Sequence, residues 1–412
     1  MDKVWTGAAI AAAAMAMCSG VALAQPASLP PPADLISAIQ QGTPILEFRP
    51  RYEHAEQAGV ADGDAFTMRT RLGWETAAFH GFKALIEVED VRQLGGSHYN
   101  DGVPPAEPYA SISDPEVTEI NRAQLAWTVN PHLGLTFGRQ RITLDDQRFI
   151  GNSAWRQDEQ TFDGVRADLS FGKFKATYAY ISHVNRVLAE AADWNGDINL
   201  FNASYAANRA FKLTGFAYLL DFDRPTAALA QSSSTYGVRV TGSFPLSAVQ
   251  IDYAGAYAQQ SDYGSNPARF NLDYWEGEIN ATYGIVTGRV MYESLEGNGT
   301  RGFSTPLASL HPFNGWADVF TTTPANGLRD FNVSATVRPP ISAPFFSNLA
   351  LIARHHEFET ERMGADLGDE NDVQATATIT PHLTALVKYA DYDGPGSPPD
   401  TKRMWFGLEF HL

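Results

Sequence analysis

From Pro44 to the last residue the chain alternates apolar and polar side chains with a period of two. In one run Leu46, Phe48 and Tyr52 alternate with Glu47, Arg49, Arg51 and Glu53. In the next, Phe66, Met68, Leu72 and Trp74 alternate with Thr67, Arg69, Arg71 and Glu75. In the last, Met404, Phe406, Leu408, Phe410 and Leu412 alternate with Arg403, Trp405, Gly407, Glu409 and His411. Successive side chains of a strand point to opposite faces, so this pattern specifies strands standing between two different environments. There are about 18 such runs of roughly 9–14 residues, the length a tilted strand needs to cross a bilayer.

The spacing between runs has its own rhythm. Tight turns near His80-Gly81, Asn130-Pro131, Gly172-Lys173, Asn208–Ala210, Pro245–Ser247, Tyr283-Gly284 and Pro381-His382 alternate with longer connections. Pro339–Asn348 is long for its place in that series. Phe79, Phe82, Trp127, Phe171, Phe174, Phe211, Phe244 and Tyr283 stand beside the tight turns, where an interfacial girdle belongs. The expected fold is therefore all-β: one antiparallel transmembrane β-barrel of about 18 strands, with short periplasmic turns and long extracellular loops. No internal apolar run approaches the ~18 residues of a membrane helix.

Three segments follow. Residues 1–24 read as a secretory signal peptide, with Lys3, an apolar stretch and Ala22-Leu23-Ala24 at the cleavage site. Cys18, the single cysteine, lies inside it, and Met17 before it is too large for a lipobox. Residues 25–43 form a Pro-rich periplasmic segment, with a short helix expected at Asp34–Gln40, and residues 44–412 form the barrel. Export to the outer membrane brings membrane lipid, lipopolysaccharide and the barrel-assembly machinery as partners. The net charge of -17 excludes nucleic acid, whose binding requires a basic surface.

Several segments resemble the alginate-export family of outer-membrane porins: LEFRPRYE (46–53), RTRLGW (69–74), FGRQR (137–141), RFIGNSAW (148–155), TFDG (161–164) and FSTPLASLHPFNGWADVFTTTPANG (303–327). The resemblance implies a single-chain barrel of about 18 strands, and a channel whose arginine-rich constriction passes a polyuronate. This chain is shorter than the best-known member, so the resemblance supports an anion channel more than alginate itself.

Alternation alone points the same way. It turns Arg49, Arg51, Arg69, Arg71, Arg122, Arg166, Arg239 and Arg289 toward the lumen, with Arg139, Arg354 and Arg403 near bulges or strand ends. Glu75, Glu87 and Asp163 complete the expected pore lining. Of 30 basic residues 23 are Arg, whose forked guanidinium suits carboxylates better than a lysine point charge does. Arg–Glu cross-bracing of the wall accounts for individual members of the set equally well. Two long loops, 141–160 and 295–328, are too apolar for water. Arg148, Trp155 and Arg156 in the first, and Phe313 and Trp316 in the second, are expected to fold inward as a constriction. Asp366–Asp372 reads as an acidic outer loop.

The Gly-x-Gly-x-x-Gly at 297–302 precedes no helix, and His355-His356-Glu357 lacks the zincin spacing. No enzyme chemistry, metal or cofactor is expected. The function expected is passive passage of anionic solutes, with uronic-acid oligo- or polysaccharides foremost. An export role would add a periplasmic partner that supplies polymer. The competing readings are a general small-solute uptake porin, a non-conducting structural or adhesive barrel, and a hydrolase on the rim.

Overall fold

The computed structural model describes residues 30–412 apart from Pro344. The signal-peptide reading lies outside the described residues. The first part of the wall comprises β1 (Thr43–Gln57), β2 (Gly63–Glu75), β3 (Phe82–Gln93), β4 (Val117–Asn130), β5 (Leu133–Gln140) and β6 (Thr161–Phe171). Next come β7 (Phe174–Asn185), β8 (Trp194–Asn208), β9 (Phe211–Arg224), β10 (Ser233–Leu246), β11 (Val249–Asp262) and β12 (Asn271–Tyr283). The last part comprises β13 (Val286–Leu295), β14 (Leu328–Val337), β16 (Phe346–Glu359), β17 (Asp366–Thr380), β18 (Leu383–Asp393) and β19 (Thr401–His411). The two-residue β15 (Ser342–Ala343) pairs with β16 inside a turn, so the 19-stranded sheet has eighteen wall strands.

Each wall strand pairs antiparallel with the next, and β19 returns to β1 with Phe48 opposite Phe410 and Tyr52 opposite Phe406. Closure leaves no edge strand. Alternation fixes which face is which. Leu72, Ile86, Val238, Val290 and Phe406 are exposed on the outside, while Arg69, Arg71, Glu87 and Glu89 between them are buried inside. At one end the strands are joined by tight turns, and there the aromatic residues Phe82, Phe171, Phe174, Phe211, Phe244 and Tyr283 are exposed outward. Phe82 and Trp127 stack at 5.2 Å in that belt. The helix α1 (Leu35–Gln40) also lies at this end, capped by Asp34, whose carboxylate accepts from the Ser37 N–H.

A closed barrel of this size has room inside, and the longer connections fill it. Loop 296–327 brings Phe303, Leu307, Trp316 and Phe320 against inward Phe222, Tyr274, Phe358, Tyr392 and Trp405. Loop 141–160 adds Ile142 and Ile150 to the same core, and Ile150 pairs with Leu307 in a short parallel bridge. A third loop, 94–116, also folds inward, packing Tyr99, Ala110 and Ile112 on Ala55 and Ala65. The main apolar core thus lies inside the barrel, built from loops.

One segment departs from its expected form. Asp366–Asp372 is not a solvated loop but the first half of β17. Its parity turns Glu370 and Asp372 inward, where both are buried, and Glu370 accepts from the Ala317 N–H at 2.7 Å. An acidic strand start is tolerated because its inward carboxylates meet loop backbone and the cations of neighbouring strands.

Candidate functional site

The arginines of β1 and β2 hold the infolded loops. Arg49 donates to Gln157 Oε1 and to the Ala154 carbonyl, each at 2.9 Å, and to the Arg156 carbonyl. Arg51 donates to the Trp155 carbonyl and pairs with Asp114 of loop 94–116. Arg69 pairs with Glu47 and, at 3.2 Å, with Glu409. Arg71 pairs with Glu89 and reaches Glu159 at 3.4 Å. All four are buried, so they grip carbonyls and carboxylates and offer nothing to a passing solute.

A second set joins loop to loop. Arg148 lies bidentate on Glu293 at 2.6 and 3.1 Å, bonds Thr305 and Asn314, and covers the ring of Phe313. Arg156 bridges Glu53 at 3.3 Å and Asp318 at 2.5 Å. Trp155 stacks flat on His311, ring centres 4.2 Å apart. His311 Nδ1 faces Asp318 at 2.9 Å, and its Nε2 faces the Lys388 amine at 2.6 Å. Lys388 in turn lies over the Trp155 and Trp316 rings. Burial, with Lys388 adding to it, pushes the His311 imidazole well below its usual range. Asp318 stays low despite burial, because His311 and Arg156 face it. Asp158 goes the other way: burial and the neighbouring Glu89 and Glu119 raise its carboxyl well above the ordinary value.

A third set is only partly buried. Arg122 holds Glu87 bidentate at 2.9 and 2.6 Å, and Arg141 holds Glu159. Arg239 lies between Asp146 at 2.8 Å and Glu276, and Lys212 approaches Asp145 at 3.9 Å. In Arg122–Glu87, Arg141–Glu159 and Lys212–Asp145 the acid is the more buried member and the cation the more exposed, whereas Arg239 is more exposed than Glu276 but less than Asp146. Arg141 is 32% exposed against 0% for Glu159, and Lys212 42% against 13% for Asp145. In Arg166–Asp168, at 2.8 Å, and Arg289–Glu278, at 2.7 Å, the acid is the more exposed member. Arg354 lies inward over Trp316 and donates to the Pro312 carbonyl at 3.3 Å. Glu75 and Lys83 pair at 3.1 Å toward the tight-turn end.

Two residues expected in the lining are not there. Arg139 and Asp163 pair with each other at 2.8 Å on the outward face. Arg139 shares register with Ala123, two residues from exposed Phe137, and Asp163 is two residues from exposed Val165. Arg141, two residues further along the same FGRQR segment, lies past the end of β5, so strand parity no longer sets its direction, and it turns to Glu159 inside the barrel. Arg141, Lys212, Glu159, Glu293 and Lys388 carry much of the site without having been singled out in the sequence. The FGRQR motif and Arg148's need for a buried acid were the signals available for Arg141 and Glu293. Among the described residues one trio of potential cation ligands, Glu47, Glu409 and His411, lies within 4.8 Å, but Arg69 already pairs with both of its carboxylates.

The family model for alginate export matches residues 45–269, more than half of the chain. The chain belongs to the alginate export family. Among solved structures it is similar to OpdK of Pseudomonas aeruginosa, crystallised with vanillate, at 14% identity and a TM-score of 0.70, covering 91% of this chain and 99% of that one. It is also similar to OccAB2 of Acinetobacter baumannii, at 13% identity and a TM-score of 0.73 over 91% and 98% of the two chains. The outer membrane protein OprD of Pseudomonas aeruginosa matches at 12% identity and a TM-score of 0.67 over 91% and 94%. Comparison with curated proteins finds no match. These likenesses establish an outer-membrane porin fold for this member of the family, and the neighbours are channels rather than enzymes.

Proposed function

We propose that this barrel is a passive outer-membrane channel for anionic organic solutes, with carboxylated sugars, uronic-acid oligomers or polymers, as the leading class. The tight turns and α1 face the periplasm and the long loops face outside. The carrying observation is the asymmetry of three inward pairs: Arg122, Arg141 and Lys212 are more exposed than their acids Glu87, Glu159 and Asp145. Each pair is neutral overall, yet the solute meets the cation first. A unit charge about 8 Å from a cation in water gains about 0.5 kcal/mol, so several such groups favour anions while leaving each contact weak enough to release. The vanillate of the OpdK crystal structure is itself a carboxylate, which agrees in chemical class.

Planar-bilayer recording tests this. Under a salt gradient the reversal potential should have the sign of anion preference, and a uronate oligomer added to one side should reduce the current. Cation preference, or a barrel that inserts and carries no current, would refute it. The three infolded loops favour one second reading, in which only small solutes pass. Block by monomeric but not by oligomeric uronate would select that reading.

A further inference from the structure

We infer that α1 is a lipid anchor, a short helix that extends the barrel's apolar belt into the membrane boundary on the tight-turn side. Its place is set by an outward residue. Trp74 shares the outer face with Leu72, stands opposite exposed Ile86, and donates its indole N–H to the Ile39 carbonyl at 2.9 Å. The Ala77 N–H bonds the Ala38 carbonyl at 2.9 Å, and Gly42 passes against the Trp74 ring where a Cβ would collide. The helix is therefore fastened to the outer side of the wall and not across the mouth of the lumen.

Its faces differ. Ala38 is buried against the barrel, whereas Leu35, Ile36 and Ile39 are 63%, 67% and 48% exposed. These three occupy one side of the helix at positions i, i+1 and i+4, bordered by exposed Gln40, and Ser37 lies on the other with Ala38. The helix itself carries no charge, and Asp34 caps it. The exposed trio continues the belt formed by Trp74, Phe82 and Trp127, already the lipid-facing surface of the barrel. The long turn on the same rim repeats the feature, with Ile341 43% and Phe345 69% exposed. An uncharged apolar face continuous with a lipid-facing belt fits acyl chains and the headgroup boundary, as interfacial helices do. The inference rests on the barrel standing in a bilayer, and not on its ion selectivity.

Site-directed spin labelling of the full chain tests it. Ile36→Cys, made with Cys18→Ser, is nitroxide-labelled and reconstituted in phosphatidylethanolamine–phosphatidylglycerol vesicles. Leu35→Cys is a second reporter, Ile86→Cys the lipid control and Met363→Cys the water control. Positions 35 and 36 should match position 86, with high accessibility to oxygen and a severalfold lower accessibility to a nickel chelate than at position 363. Nickel accessibility equal to that of position 363, or shielding from both probes as in a contact with another protein copy, would overturn the anchor. A water-accessible position 86 would instead refute the membrane placement on which it rests.

Discussion

Removing Arg148 should release the infolded loops, and the size of the effect can be worked from its contacts. The guanidinium lies bidentate on Glu293, itself wholly buried on β13, and the remaining partners of Glu293 are Tyr274 at 2.7 Å and Asn314 at 2.6 Å. Arg148→Met leaves an uncompensated buried carboxylate, a change that costs about 3–5 kcal/mol. Glu293→Gln alone strands the cation in the same way. Arg148→Met with Glu293→Gln removes both charges, while the amide keeps bonds to Tyr274 and Asn314. The double variant should therefore lose only about 1–2 kcal/mol, the worth of the neutral hydrogen bonds removed. Urea unfolding of the barrel in phospholipid vesicles, followed by tryptophan fluorescence and by gel mobility, measures all three. The coupling should be at least ~2 kcal/mol, within the range of contacting pairs. Additive losses, or a single-variant loss under ~1 kcal/mol, would show that this pair does not hold loop 141–160 against loop 296–327.

Four further outcomes follow from the same geometry. Arg141→Gln with Lys212→Gln removes two water-facing cations whose acids keep other partners, and at low salt should lower the anion-to-cation permeability ratio about fivefold. Arg139→Gln on the outer face should leave that ratio unchanged, so a shift there would undo the placement of the pathway. Gly315 has φ +87° with the Glu370 carboxylate in the space a Cβ would enter, so Gly315→Ala should cost about 1–3 kcal/mol in the same urea assay. His311 titrates below its unfolded value, so its stabilising effect is complete above about pH 6.5 and is lost as pH falls toward the depressed folded value. A proton arriving at Nε2 would face Lys388, while Asp318, Arg156, Glu370 and Asp372 surround the pair. Single-channel traces should therefore become noisier on acidification in the native chain, and not in His311→Gln.

The wall was readable because strand parity is a local property. Eighteen runs, their turns and the aromatic belt follow from side chains two residues apart, and closure follows because neither end run looks like an edge. Parity broke down for Arg139 and Asp163, beside Gly138 at φ +100° and the irregular register between Asp163 and Gly164. It was also overlooked in Asp366–Asp372, where acidity concealed an alternation that places Glu370 and Asp372 inside. The inward folding of 141–160 and 296–327 showed in their aromatic content. Loop 94–116 gave no such signal, since it buries Ala110, Ile112 and one tyrosine amid glycine, proline and serine. Which arginine grips a loop and which faces water depends on where those loops come to rest, and no spacing in the chain encodes that.

The excess of Arg over Lys acquires two meanings once the lumen is divided in this way. Arg49, Arg51 and Arg148 each bind two or more acceptors lying in different directions, including carbonyls of irregular backbone, which needs a fork and not a point charge. Loops without secondary structure can stay inside a barrel only if their carbonyls find donors, and the arginines of β1 and β2 supply them. The lining cations have a different task. Lys212, a lysine, is the most exposed of the three cations that stand in front of their acids, so that surface needs charge more than fork geometry. Arg141→Lys should therefore preserve ion selectivity, whereas Arg49→Lys should loosen the loop despite keeping its charge. Paired measurements of reversal potential and urea midpoint on these two variants separate the roles. If Arg141→Lys changes selectivity as much as Arg141→Gln, guanidinium geometry also governs permeation, and the division between gripping and lining arginines fails.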